Sequence, residues 1–255
     1  MENIGNINEN TVYYDINTID FIKLIKNGNF FHGRYNDGEF NSIMTTNNPM
    51  NSNNVNCDGH QYFYQLGVDT KQTLLEYKYS DNYIISGGKN YFNDYKKMFI
   101  ELYDQNPNLR LQNSYVYYDI IMNPKYFDDF NDFLNTKKII IVGPDYMRDI
   151  KLFKNFEVIE IPRYNCYLSI DLINKKISDF NNNNEEIIYC FIASMMSNII
   201  IHKFSKIDTK NSYLNIGSAW DYFFQSNKYN MIHHRGIYPR LVSELNQYYS
   251  KYIIK

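Results

Sequence analysis

The chain has 255 residues, with 26 Lys and Arg against 28 Asp and Glu and a formal net charge of −2. That balance argues against nucleic-acid binding through bulk positive charge. An aromatic share of 17%, spread along the chain, argues against disorder. Cys57, Cys166 and Cys190 show no Cys-x-x-Cys spacing, which disfavours a disulfide framework or a cysteine zinc site and fits a reducing, cytoplasmic compartment. Met1 to Asn17 has no apolar core of a signal peptide. The longest apolar stretch, Ile187 to Ile201, is interrupted by Ser194, Ser197 and Asn198 and predicts no membrane span. The 26 Tyr, the 17 Phe and an Asn content of about one residue in seven share AT-rich codons and are read as composition, not as a stacking surface.

In chain order, Asp20–Lys26 carries Phe21, Ile22, Leu24 and Ile25 at helical spacing. Asn29–Tyr35 reads as the first strong strand. A polar, Asn-rich stretch with Pro49, Asn47 to Asn56, reads as a long loop. Further strands are expected at Tyr83–Ser86, Tyr115–Ile121, Lys138–Val142, Glu157–Ile161, Ile187–Ile192 and Tyr213–Ile216. Helical patterns lie at Lys71–Tyr77, Asn93–Tyr103, Lys125–Leu134, Ser169–Phe180 and Ser218–Phe224. Most strands are continuous apolar runs, as in sheets covered on both faces. The alternation predicts an α/β fold: one Rossmann-like domain spanning 1–255, with a mostly parallel central sheet flanked by helices. Residues 231–255 are expected to pack on it as a tail. No internal repeat and no Pro-, Gly- or Ser-rich linker divides the chain.

The first chemical candidate is Gly33-Arg34-Tyr35-Asn36-Asp37-Gly38-Glu39-Phe40, which follows that first strand. If the backbone stays extended, Asp37 and Glu39 point to one side and form a hard-oxygen site for Mg²⁺ or Mn²⁺. Gly38 between them lets a ligand approach the backbone. An ordinary Asp-Gly turn is the plainer alternative. Arg34 is either a salt-bridge partner of that pair or a fork facing a diphosphate. Of the histidines, His32 lies within a strand, as core residues do. His32, His60, His202, His233 and His234 show no His-x-x-x-His spacing for zinc. His233, His234 and Arg235, with Tyr238 and Arg240, form a basic cluster that is either a solvated face or a phosphate contact.

Arg34-Tyr35-Asn36-Asp37-Gly38-Glu39-Phe40 resembles the Arg-aromatic-Gly-Asp-Gly-Glu signature of the GT-D-fold glycosyltransferases, whose Asp-x-Glu serves the metal and the sugar nucleotide. Four more segments are similar to elements of that family, in its order: Cys57-Asp58-Gly59-His60-Gln61-Tyr62-Phe63 with Leu66-Gly67; Ile139 to Pro144; Ile159-Glu160-Ile161-Pro162 with Asn165-Cys166-Tyr167; and Leu214 to Asp221. The resemblance covers about residues 29 to 222. It departs at Asn36, where the family has Gly, and at Asn215, where it usually has Asp.

The resemblance implies a glycosyltransferase moving a sugar from a nucleotide-diphosphate donor, most readily a UDP-sugar, to a hydroxyl of a glycan or other acceptor. Asp37 and Glu39 would hold Mn²⁺ or Mg²⁺. The Gly143-Pro144 turn is then a phosphate contact, or else a plain strand end. Asn165 holds the uracil or ribose edge, or caps the following helix. Ser194 and Gly217 line the same sheet edge, with helix capping the plainer role for Ser194. His60 is a candidate general base or acceptor contact. The alternative is a non-catalytic nucleotide- or sugar-binding scaffold derived from the same fold.

Overall fold

In the computed structural model the described residues are 7–46, 55, 59–223, 245 and 247–252. Eight strands form one sheet: β1 (Tyr13–Tyr14), β2 (Phe31–Tyr35), β3 (Tyr83–Gly87), β4 (Leu111–Asn113), β5 (Lys138–Gly143), β6 (Phe156–Glu160), β7 (Ile187–Phe191) and β8 (Ser212–Asn215). Their order is β1-β4-β3-β2-β8-β7-β5-β6, and every pairing is parallel. The helices are α1 (Glu9–Val12), α2 (Thr18–Lys26), α3 (Asp37–Met44), α4 (Tyr64–Glu76), α5 (Lys96–Gln105), α6 (Val116–Met122), α7 (Pro124–Leu134), α8 (Ile170–Asn181) and α9 (Met196–Phe204).

The period of two in the strands separates two core layers. Ile139 and Ile141 of β5, Ile188 and Cys190 of β7 and Leu214 of β8 face α2, α6 and α7. Ile140, Val142, Tyr189, Phe191 and Tyr213 face the opposite layer, with residues of α3, α4, α5, α8 and α9. Both faces being covered, strands such as Lys138–Gly143 read as unbroken apolar runs. Local signals fix the helices. Asn17 accepts from the Asp20 N–H at the head of α2. Asn123 accepts from the Lys125 and Tyr126 N–H groups ahead of Pro124 in α7. Gly67 lets α4 sit against α3, since a Cβ there would lie 2.1 Å from the Ser42 carbonyl oxygen. At the C-terminus Tyr249 is fully buried against Phe127 and Phe223, and its hydroxyl donates to the Ile121 carbonyl at 2.7 Å.

The expected strand at Tyr115–Ile121 is instead helix α6. Its Val, Ile and Tyr side chains are buried because the helix is wedged between the sheet and its neighbours, and only Asp119 faces outward within the run 116–121. The strand of that βα unit is the short Leu111–Asn113, which with β1 was not anticipated. Ser218–Phe224 shortens to a 3-10 turn, Ala219–Phe223. Of the Asn47–Asn56 loop only Val55 lies among the described residues. No helix among the described residues is long and apolar enough to cross a membrane.

Candidate functional site

The strand order reverses at β2. The chain leaves β2 into α3, whose Phe40 and Ile43 pack on one face of the sheet; it leaves β8 into the 219–223 turn, which packs on the other. Neighbouring strands whose exits diverge open a crevice at their carboxyl ends, where open α/β sheets bind ligands.

Arg34 stands in this crevice, and three features fix it. Its Nε donates to the Ser114 carbonyl at 3.1 Å. The guanidinium lies 5.8 Å from the centre of the Tyr118 ring. Gly217, with φ +59°, leaves the space it occupies, because a Cβ there would fall 2.5 Å from Nη1. The backbone of Arg34 is held from the other side. Its N–H donates to Asn198 Oδ1 at 2.8 Å, and its carbonyl accepts from Asn198 Nδ2 at 2.6 Å. Asn215 Nδ2 donates to Asn198 Oδ1 at 2.8 Å and thereby sets which way that amide faces. Asn198 is completely buried and Asn215 nearly so. An aspartate at 215 could not donate this hydrogen bond, so the departure from the family pattern has a structural role here. Among the described residues no carboxylate forms an ion pair with Arg34, so the salt bridge considered from sequence is absent.

The acidic pair is not extended. Asp37-Gly38-Glu39 forms the first turn of α3 behind Asn36. Two residues apart on a helix are about 200° apart around the axis, so the carboxylates diverge. Asp37 faces solvent, whereas Glu39 turns inward and accepts the Asn36 N–H at 2.8 Å. Burial pushes the Glu39 carboxyl up to about 7; the backbone hydrogen bonds and the Arg34 charge pull it the other way. Gly38 is an ordinary helical residue here and has no left-handed φ. Asn36 and Glu39 form a capping box at the head of α3. No group of three or more His, Cys, Asp and Glu residues is placed to hold a metal among the described residues. Of the pair only Asp37 is exposed, so the protein offers one free carboxylate here and not an all-protein cage for a hard cation.

His60, Asn165 and Ser194 meet at a second point of the same edge, around a cavity of about 10 Å³. That is room for a single water, not for a nucleoside. Asn165 does not cap the following helix. It has φ +51°, its N–H donates to His60 Nδ1 at 3.1 Å, and its Oδ1 accepts from the Gln61 N–H at 2.8 Å. Ser194 also has a left-handed φ, +50°, and its carbonyl accepts the Ser197 N–H at 3.1 Å at the head of α9. Two non-glycine residues in this sparsely allowed region, facing one cavity, mark an over-determined local structure. At Gly143-Pro144 the Gly143 carbonyl accepts from Ile161, while the Tyr146 and Met147 N–H groups bond to Asp145 Oδ1 and the Pro144 carbonyl. Those two amides are therefore already taken within the turn. The basic cluster at His233 to Arg240, and Cys57-Asp58, lie outside the described residues.

His32 is a satisfied core residue, as its strand position implied. Its ring nitrogens pair with the Tyr117 and Ser86 hydroxyls at 3.1 and 3.0 Å, and burial lowers its pKa to about 3. Asn198, Ser114 and Tyr118 were not singled out from sequence. Asn198 sits in an apolar helical run, and a polar residue in such a run was the available signal.

No family model matches the sequence, and no curated protein matches it. Among solved structures, the chain is similar to a glycosyltransferase (DUF1792) from Streptococcus sanguinis, at 13% identity over 95% of this chain and 98% of that one, with a TM-score of 0.62. It is also similar to a structure of the domain of unknown function 1792, described as having a distinct glycosyltransferase fold, at 14% identity over 96% and 95% of the chains, with a TM-score of 0.59. A selenomethionine-substituted structure of that domain gives 14% over the same shares, with a TM-score of 0.58. At these identities the likeness establishes the fold, and it is the GT-D glycosyltransferase fold that the sequence motifs implied.

Proposed function

We propose that this chain is a glycosyltransferase that moves a sugar from a nucleotide-diphosphate donor, a UDP-sugar by preference, to a hydroxyl of a glycan or similar acceptor. The observation that carries the reading is a fixed Arg34, with no ion pair among the described residues, close in sequence to an exposed Asp37 at the carboxyl end of β2, where the strand order reverses. The fold shared with proteins described as glycosyltransferases supports it. Arg34 faces the diphosphate. Its planar fork suits two phosphate oxygens, and its position is set before substrate arrives, so little reorganisation opposes binding. Asp37 would hold Mn²⁺ or Mg²⁺ shared with the donor phosphates, with Glu39 turned away from it. When bound, that ion neutralises charge developing on the departing diphosphate. Glu39 also closes the head of α3 by accepting the Asn36 N–H.

His60 is not placed to act as the base. With Nδ1 accepting from Asn165, the neutral ring carries its proton on Nε2, which then donates. The scaffold alternative drew on Asn36 and Asn215. Asn215 no longer supports it, because its amide is what holds Asn198 against Arg34.

The test is turnover of UDP-, GDP- and TDP-sugars with Mn²⁺, read as released nucleoside diphosphate. One donor class is expected to turn over, with Arg34→Ala lowering the rate about a hundredfold. No release from any of the three overturns the reading.

A further inference from the structure

A second feature of the carboxyl edge lies on the other flank of β2. Between the ends of β1 and β4, the start of α2 and one side of α6 is an open cleft of about 500 Å³. That is ligand-sized, whereas the cavity at His60 is not. Its floor is firm: the Gln112 side chain accepts from the Ile16 N–H at 2.7 Å and donates to the Ile16 carbonyl at 2.8 Å. The cleft is also next to Arg34. Asn113 lines it, and the carbonyl of the following residue, Ser114, receives the Arg34 Nε. Helix α6 is the shared wall, with Tyr118 against the guanidinium and Asp119 in the cleft.

The chemistry of the walls selects a ligand class. Asp20 is neutralised by Lys23 at 2.8 Å. Asp15 and Asp119 have neither an ion pair nor a hydrogen bond among the described residues, and burial raises the Asp119 pKa with nothing opposing it. Two uncompensated carboxylates repel phosphate, so this is no second nucleotide site. Carboxylates accept hydroxyl protons, the Asn113 amide and the Thr18 hydroxyl both donate and accept, and Ile16, Ile19 and Tyr126 offer apolar surface. Vicinal hydroxyls over a C–H face, as on a pyranose, match that mixture.

We propose that this cleft binds the acceptor as a neutral saccharide, with Asp15 and Asp119 taking its hydroxyls. The proposal rests on the transferase reading for its role but not for its binding chemistry. The test uses the full chain and saturation-transfer NMR with lactose and maltose as neutral probes and sialyllactose as the anionic one. The neutral probes receive saturation and sialyllactose does not. Asp119→Lys weakens the neutral probes by at least about tenfold, the value of a lost charged hydrogen bond. Asp119→Asn, which keeps the shape, weakens them less. No saturation of either neutral probe, equal binding by Asp119→Lys, or preference for sialyllactose each overturns the proposal. Should donor turnover be absent while lactose binding responds to Asp119→Lys, the transferase reading falls and the saccharide cleft stands. The reverse pattern removes the cleft alone.

Discussion

The two flanks of β2 are built in opposite ways. Toward β8 and β7, Asn198 and Asn215 are buried and fully engaged in holding the Arg34 backbone, and Gly217 is shaped around its side chain. Toward β4 and β1, the edge opens into a cleft whose Asp15 and Asp119 carboxylates have no partner among the described residues. The contrast separates two tasks. Groups that must be in place before substrate arrives are saturated with protein hydrogen bonds, and groups that receive substrate are left unsatisfied. The pattern repeats at the head of α3, where Glu39 is committed to the fold and Asp37 is not.

The sharpest way to break this contrast is Asn198→Leu. It strands the Arg34 N–H and carbonyl and the Asn215 amide in a dry site, so the expected loss is about 3 kcal/mol or more. Thermal denaturation reads that as a fall of roughly 10 °C; a loss below about 1 kcal/mol would mean the clamp is incidental. Next is Gly217→Ala, whose Cβ displaces the guanidinium. Donor turnover should drop about a hundredfold, while the left-handed φ alone costs only about 1–2 kcal/mol of stability. Wild-type turnover in this variant would detach Arg34 from the chemistry.

A pH-dependent effect comes from His32, which links β2 to β3 and α6. Its folded pKa, about 3, lies below the unfolded value of 6.5. The neutral ring therefore contributes stability that is complete above pH 6.5 and lost as pH falls toward 3, by about 1.4 kcal/mol per pH unit. His32→Gln should flatten the acid limb of a stability-against-pH curve; an unchanged limb would assign it to other groups. The smallest effect belongs to the open flank: Asp15→Asn with Asp119→Asn should alter stability by less than about 0.5 kcal/mol, since neither carboxylate has a partner to lose among the described residues.

Much of the fold was legible because β5 and β7 are unbroken apolar runs, as covered strands are, and α7 and α8 keep a helical period. The misreading at Tyr115–Ile121 has a physical reason. A helix buried on nearly all sides carries the same Val, Ile and Tyr content as a covered strand, and only Asp119 at its outer face signals the difference. Strands as short as Tyr13–Tyr14 and Leu111–Asn113 leave no periodic trace. In the site, the motif located Arg34, Asp37 and Glu39, yet the helical start at Asp37 turned the two carboxylates apart. Asn198 and Ser114 act through contacts 164 and 80 residues away from Arg34, which no local spacing encodes. The cleft at Asp15 and Asp119 joins residues from two separate βα units for the same reason.

The most direct test of the central claim is calorimetric titration of UDP, GDP and TDP, with and without Mn²⁺, into the wild type and Asp37→Ala. One nucleotide is expected to bind, Mn²⁺ to tighten it, and Asp37→Ala to weaken the Mn²⁺-dependent binding by at least about tenfold. Nucleotide binding that ignores both the ion and the substitution would contradict that claim.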